Sequence, residues 1–253
     1  MNKIQSMEKI FVTTFNKVIF EKFGRKLLES FVNTKQSIPF FCYVEENLSE
    51  YPHFENITYL NIFKEQPECQ KFVNRNLKKN KNNSNISYLL DSFRFNYKVF
   101  AQNDARKYAD KIYFIDADTC FLTKIPTKWL DECLPNDTFI SLYDRIGYYT
   151  ETGFLVFNTK IKNKIDQKIS DIFFQQYIGY YLHDLIYCLP AFTDCHALDA
   201  TRWRFLFLNK LTKEYSNYKE NRLGNWSSTN DLDVMSDDKF INQYIIHHKG
   251  NKS

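Results

Sequence analysis

Glycine and proline are scarce in this chain, with six of each in 253 residues. That leaves few hinges and no linker-like stretch, and it excludes collagen-like and Pro/Gly-rich low-complexity architectures. No run approaches the ~18–20 uninterrupted apolar residues that a membrane-crossing helix needs. The opening Met1-Asn2-Lys3-Ile4-Gln5-Ser6-Met7-Glu8 lacks the apolar core of a secretion signal, so a cytoplasmic protein is expected. The six cysteines (Cys42, Cys69, Cys120, Cys133, Cys188, Cys195) form no C-x-x-C pair and no close Cys/His cluster. Reduced thiols, several buried as small hydrophobes, are therefore expected in place of a zinc site. Charge of one sign is also missing. Thirty-four basic against thirty acidic residues leave +4, too little to indicate a nucleic-acid partner.

What is present is the composition of a globular protein, 43% hydrophobic, 25% charged and 17% aromatic. With no internal repeat and no break in composition, one domain over residues 1–253 is the simplest organisation. The densest basic segment runs from Lys71 to Lys81 and continues into Asn82-Asn83-Ser84-Asn85. It reads as a solvated helix end and a mobile loop; a grip on an anionic acceptor, or a peripheral membrane contact, is the second reading.

The first half alternates strand and helix. Strands are expected at Lys9–Asn16, Pro39–Val44 and Asn56–Ile62, where β-branched and aromatic residues dominate. Between the first two, Phe20, Phe23, Leu27, Leu28 and Phe31 recur at helical spacing. That alternation implies a parallel sheet with crossover helices. A longer helix is expected from about Tyr88 to Ala109, with Leu89, Leu90, Phe93, Tyr97, Phe100, Ala101 and Tyr108 on its apolar side and a polar stripe of Ser87, Asp91, Arg94, Lys98 and Gln102 on the other. Phe95 and Val99 flank that stripe, so it need not face only solvent. Further strands are expected at Thr138–Tyr143 and Gly153–Asn158, helix over most of Ile161–Leu189, and an irregular, polar closing third.

Directly after the long helix comes Lys111-Ile112-Tyr113-Phe114-Ile115-Asp116-Ala117-Asp118-Thr119. Four consecutive apolar residues suit a strand buried on both faces. Asp116 and Asp118 then stand at its carboxyl end, where open α/β sheets bind ligands. Two hard oxygen donors suit Mg²⁺ or Mn²⁺, which keep coordination positions for substrate phosphates. A strand-end pair that caps a helix and meets nearby lysines is the plainer alternative.

The segment Tyr113-Phe114-Ile115-Asp116-Ala117-Asp118-Thr119, preceded by a basic helix, resembles the core of GT-A-fold nucleotide-sugar glycosyltransferases. It is most similar to the glycogenin and lipopolysaccharide galactosyltransferase group. The resemblance implies a GT-A, Rossmann-like α/β fold: a mixed, mostly parallel sheet flanked by helices, with the metal at the strand carboxyl ends. It implies a nucleotide-binding half, 1–125, and an acceptor-side half, 126–253. It further implies Mn²⁺ (or Mg²⁺) held by Asp116 and Asp118, with Ala117 between them, against the diphosphate of a UDP-sugar donor.

In that family a third metal ligand comes from a C-terminal H-x-x-G-x-x-K segment. His247-His248-Lys249-Gly250 supplies H-x-x-G here, but Lys252 stands one position early and the following Pro-Trp is absent. His247 is favoured over His248 as the ligand, with Gly250 and Lys252 beside the diphosphate. The same resemblance assigns Arg94 and Lys98 to the donor and Thr13, Thr14 and Asn16 to the nucleotide pocket. Glu45 and Glu46 are placed by position alone toward base or ribose. Glu151-Thr152-Gly153 matches the segment facing donor sugar and acceptor, where the glycine lets backbone approach a ligand or simply starts a core strand. Asp184 matches, loosely, an acceptor-facing carboxylate; a buried Asp184–His183 structural pair is the alternative. Glu151 and Asp184 are thus the catalytic candidates, Asp184 the general base if the reaction inverts. Retention is the configuration the resembled group implies.

The expected activity is a metal-dependent hexosyltransferase acting on a glycan, a lipid-linked glycan or another hydroxyl acceptor. Two other classes compete. A haloacid-dehalogenase-like phosphatase also sets D-x-D at a strand end, but its threonine lies further on and its motif opens the fold. A non-catalytic nucleotide- or carbohydrate-binding module is the other.

Overall fold

The computed structural model describes residues 7–45, 47–81, 88–145, 148–224 and 234–248. Glu46, residues 82–87, Gly250 and Lys252 lie outside the described residues.

Nine strands are described: β1 Met7–Phe15, β2 Phe40–Val44, β3 Ile57–Asn61, β4 Ala109–Ile115, β5 Thr119–Phe121, β6 Ile140–Tyr143, β7 Glu151–Asn158, β8 Glu220–Arg222 and β9 Ile245–His247. Helices of seven residues or more are α1 Arg25–Asn33, α2 Pro67–Lys81, α3 Ser92–Ala105, α4 Thr127–Cys133, α5 Ile169–Leu182 and α6 Asp194–Thr212. Seven strands form one sheet in the order β3-β2-β1-β4-β7-β6-β8, and β5 and β9 form a separate ribbon. β1, β2, β3 and β4 pair in parallel, β7 runs antiparallel to both β4 and β6, and β8 is parallel to β6. The sheet is therefore mixed and mostly parallel, with helices on both faces.

Side chains on β4 alternate between the faces. Ile112 and Phe114 join a core with Phe72, Val99, Phe100, Phe173 and Leu198, so α2, α3, α5 and α6 cover that side. Tyr113 and Ile115 join Leu28, Phe31, Trp129 and Leu130, which puts α1 and α4 on the other. β4 is buried on both sides, as its unbroken apolar run requires. Residues from both halves of the chain enter each core, and β4 is hydrogen-bonded to β7 across the middle. Among the described residues no helix is long and apolar enough to cross a membrane.

Four expectations need correction. The long helix begins at Ser92, because the Asp91 carboxylate accepts from the Arg94 backbone N–H at 3.2 Å and caps it. Its buried side takes in Phe95, Val99 and Gln102 as well as the expected Phe100 and Ala101, while Leu89 and Leu90 are exposed. Residues 161–168 are not helical. There the Asn163 side chain accepts from the N–H groups of Ile165 and Gln167 at 3.1 and 2.9 Å, an Asx-type turn that competes with helix. Finally, the closing third contains α6, nineteen residues long. Thr193 caps it by accepting from the His196 N–H at 3.4 Å, and Ala197, Leu198, Thr201 and Phe205 form its inner face. Apolar residues on its outer side blur the periodicity that would have revealed it. All six cysteines are free thiols, four of them buried.

Candidate functional site

β4 ends in a turn that the sequence itself locks. The Asp116 N–H donates to the Gly153 carbonyl at 2.9 Å, holding the first carboxylate against β7. Asp118 follows in the turn, and the Thr119 hydroxyl donates back to the Asp116 carbonyl at 2.7 Å. The chain then enters β5, which pairs antiparallel with β9 so that Thr119 lies opposite His247. The His248 N–H completes the ribbon by donating to the Asp118 carbonyl at 2.8 Å. One imidazole is thereby carried across 129 residues of chain to the carboxylate pair.

Ligand atoms of Asp116, Asp118 and His247 lie within 4.8 Å of one another. His247 Nε2 stands 3.1 Å from Asp118 Oδ1. Its Nδ1 is buried and has no hydrogen-bond partner among the described residues. Two carboxylates and an imidazole are a donor set that Mn²⁺ accepts and that Mg²⁺ also tolerates. Of the two histidines, His247 turns inward and His248 is exposed.

The electrostatics favour a cation. Burial pushes the Asp116 carboxyl up to about 6; Lys98 pulls it down and Asp118 adds to the rise. Burial draws the His247 imidazole down, but its hydrogen bond and charge interaction with Asp118 outweigh this and leave it above its ordinary value. Lys98 reaches the cluster from α3, with Nζ 2.6 Å from Asp116 Oδ1 and 3.7 Å from Asp194 Oδ2. Asp194, fully buried, opens α6; its Oδ2 has no hydrogen-bond partner among the described residues. The array Asp118–Asp116–Lys98–Asp194 alternates charge as far as one cation allows.

The protein's own packing requires glycine at 153. A Cβ there would stand 3.2 Å from Glu151 Oε1, 3.2 Å from Met235 Sδ and 3.3 Å from His247 Cε1. The missing side chain makes room for the His247 imidazole. Glu151 lies in the layer behind: its Oε1 accepts from the Gly153 N–H at 3.1 Å, and Arg145 Nη1 is 3.2 Å from Oε2.

The other residues singled out from the sequence scatter around this centre, and some fall elsewhere. Asp184 is in the left-handed region (φ 56°) just past α5, where Arg75 holds it through Nη2 at 2.9 Å and Asn76 donates to it at 3.0 Å. The structure does not bring it to the carboxylate–histidine cluster, and the neighbouring His183 is exposed. Arg94 is exposed on the first turn of α3. Thr13 is buried and Thr14 half-buried on β1, while the Asn16 side chain accepts from the Ile19 N–H at 2.9 Å and caps a short helical turn. Ala117 is buried between the two aspartates. Glu45 hydrogen-bonds Tyr97 on α3. Sequence reasoning missed Asp194 and Arg145. The pair Thr193-Asp194, a capping residue followed by an acid, was the available signal for a helix start, though not for its place beside the site.

No family model matches the chain, and no curated protein does. Among solved structures, mouse xyloside xylosyltransferase 1 in its apo form superposes with a TM-score of 0.48 at 12% identity over 86% of each chain. The WbbM bifunctional glycosyltransferase gives a TM-score of 0.48 at 13% identity, covering 99% of this chain and 47% of its own. The glycosyltransferase GlyE of Streptococcus pneumoniae TIGR4 gives 0.45 at 14%, over 85% and 45%. This chain thus spans about half the length of the last two. All three similar structures are glycosyltransferases, and at these values the functional reading rests on the site itself.

Proposed function

We propose that this chain is a GT-A-type glycosyltransferase that moves a hexose from a nucleoside diphosphate sugar, UDP-linked by preference, to a hydroxyl of a glycan or lipid-linked glycan. The observation that carries the reading is the convergence of Asp116, Asp118 and His247 within 4.8 Å at the carboxyl end of a buried strand. A carboxylate–imidazole trio around an unpartnered buried nitrogen has no evident structural purpose, since Thr119 and the β5–β9 ribbon already lock the turn.

A bound Mn²⁺ or Mg²⁺ supplies Lewis-acid neutralisation of the charge that builds on a departing diphosphate. Asp116, Asp118 and His247 would hold it. Lys98, anchored between Asp116 and Asp194, adds a second positive centre on the same side. Thr14, half-buried at the carboxyl end of β1, is assigned to the nucleotide side, and the buried Asp194 helps to position Lys98. Glu151 is held by Arg145 and Asp184 by Arg75. Neither carboxylate then serves as a strong base, which agrees with retention of anomeric configuration.

The test is release of UDP from UDP-hexoses with Mn²⁺, with sugar transfer read in parallel. Asp116→Asn or Asp118→Asn should lower turnover by ~10²-fold or more, equivalent to about 3 kcal/mol, with the fold retained by circular dichroism. Near-normal turnover at saturating donor in both variants would remove the metal role. A wild-type protein that binds donor without hydrolysing or transferring it would be a binding module instead.

A further inference from the structure

Among the described residues, nothing covers the apolar outer side of α6. Its inner side is buried through Ala197, Leu198, Thr201 and Phe205. Outward, Trp203 is 70% exposed, Phe207 60% and Leu211 65%, and Leu206 beside them 38%. Trp203, Phe207 and Leu211 recur every four residues, so they form one continuous stripe along the helix. Scattered exposed hydrophobes need no explanation, but an aligned aromatic and aliphatic stripe marks an interaction surface.

Along the helix, the charge beside the stripe is of one sign. From Ala200 to Lys213 there is no Asp or Glu, while Arg204, Lys210 and Lys213 are exposed beside the apolar residues. The remaining cation, Arg202, is turned inward to Asp144, Asp199 and Glu220. The carboxylate just before the segment, Asp199, is engaged by Arg202 and the Thr150 backbone, and Glu214 just after it accepts from the Asn163 amide. A second copy docking through the same face would set these cations against their own images across a two-fold axis, which is unfavourable. An anionic lipid surface satisfies both features at once. Tryptophan, phenylalanine and leucine enter the boundary between headgroups and chains, and arginine and lysine meet the lipid phosphates.

We infer that α6 docks this protein on an anionic bilayer surface, with Trp203, Phe207 and Leu211 inserted and Arg204, Lys210 and Lys213 against the headgroups. The attachment is peripheral and does not depend on the chemistry at Asp116.

Co-sedimentation with phosphatidylglycerol–phosphatidylcholine vesicles, compared with phosphatidylcholine alone, tests it on the full chain. Binding is expected only with the anionic vesicles and should weaken as salt rises. Replacing the stripe, W203S/F207S/L211S, should reduce the vesicle partition coefficient by about tenfold or more. R204Q/K210Q/K213Q should remove the preference for anionic lipid. Melting temperatures of both variants close to wild type exclude misfolding as the cause. Failure of the wild type to bind anionic vesicles at low salt overturns the inference, as does undiminished binding of the serine variant. So would a concentration-dependent dimer, seen by light scattering, that the serine substitutions dissolve.

Discussion

At Lys98 two influences meet: a carboxylate at 2.6 Å and a buried acid at 3.7 Å. Lys98→Met removes the leading influence that holds the Asp116 carboxyl down against burial. Asp116 then protonates at a higher pH, and protons compete with a divalent cation there more strongly. The variant should bind donor ~10-fold or more weakly, the range expected for loss of one charged hydrogen bond, and its metal requirement should steepen as pH falls. A titration that finds donor affinity unchanged while the melting temperature drops would make Lys98 a structural residue. The lysine was legible beforehand only as one of two cations, Arg94 and Lys98, on the helix before the carboxylates, and the sequence did not separate them. Asp194 was not, since nothing in Thr193-Asp194-Cys195-His196 tells that α6 starts against Lys98 and not against solvent.

Two contacts between elements carry further predictions. Lys9 on β1 and Lys111 on β4, both nearly buried, converge on Asp131 of α4 at 3.0 and 2.9 Å. Burial pushes the Asp131 carboxyl up, but hydrogen bonds from Lys111 and Lys9 outweigh it and leave it below the ordinary carboxylate value. A depressed folded-state pKa adds stability that is complete above the unfolded value and is lost as pH falls through the folded one. Asp131→Asn should therefore destabilise by about 1 kcal/mol near neutrality, the half-exposed carboxylate keeping the effect small. It should also flatten the acid limb of the stability curve, so denaturant melts at several pH values decide; a parallel downward shift at every pH would contradict the ion-pair account. The second contact is Asp184, which joins α2 to the end of α5. Asparagine tolerates the left-handed backbone there. Asp184→Asn should lower stability by no more than ~1 kcal/mol and leave acceptor-independent donor hydrolysis unchanged. A large loss of hydrolysis would return Asp184 to the chemistry. Sequence position had suggested an acceptor-facing role, and the partner it has, Arg75, lies 109 residues away, where no local pattern points.

For the whole molecule, the decisive event is the return of the chain's last described strand to the end of its fourth. β9 pairs with β5 and delivers His247 to Asp118, and Gly153 on β7 leaves the space that the imidazole occupies. His247→Ala should therefore abolish most of the Mn²⁺-dependent rise in melting temperature while shifting the metal-free value little. Saturation of the wild type at ~100 times its dissociation constant corresponds to about 2.7 kcal/mol of stabilisation, well within calorimetric reach. An undiminished Mn²⁺ effect in the variant would place the ion elsewhere. The strand–helix alternation, the buried run Ile112–Ile115 and the carboxylates at its end were set by sequence alone, because period, β-propensity and an unbroken apolar stretch are local properties. So was the choice of a D-x-D turn, closed by its own threonine. Only the tertiary structure decided which histidine joins it, that Glu151 supports Gly153 and Arg145, that Asp184 belongs to Arg75, and that Asp194 faces Lys98. Those pairings depend on strand order and helix packing, where residues meet through space and the spacing between them along the chain carries no information.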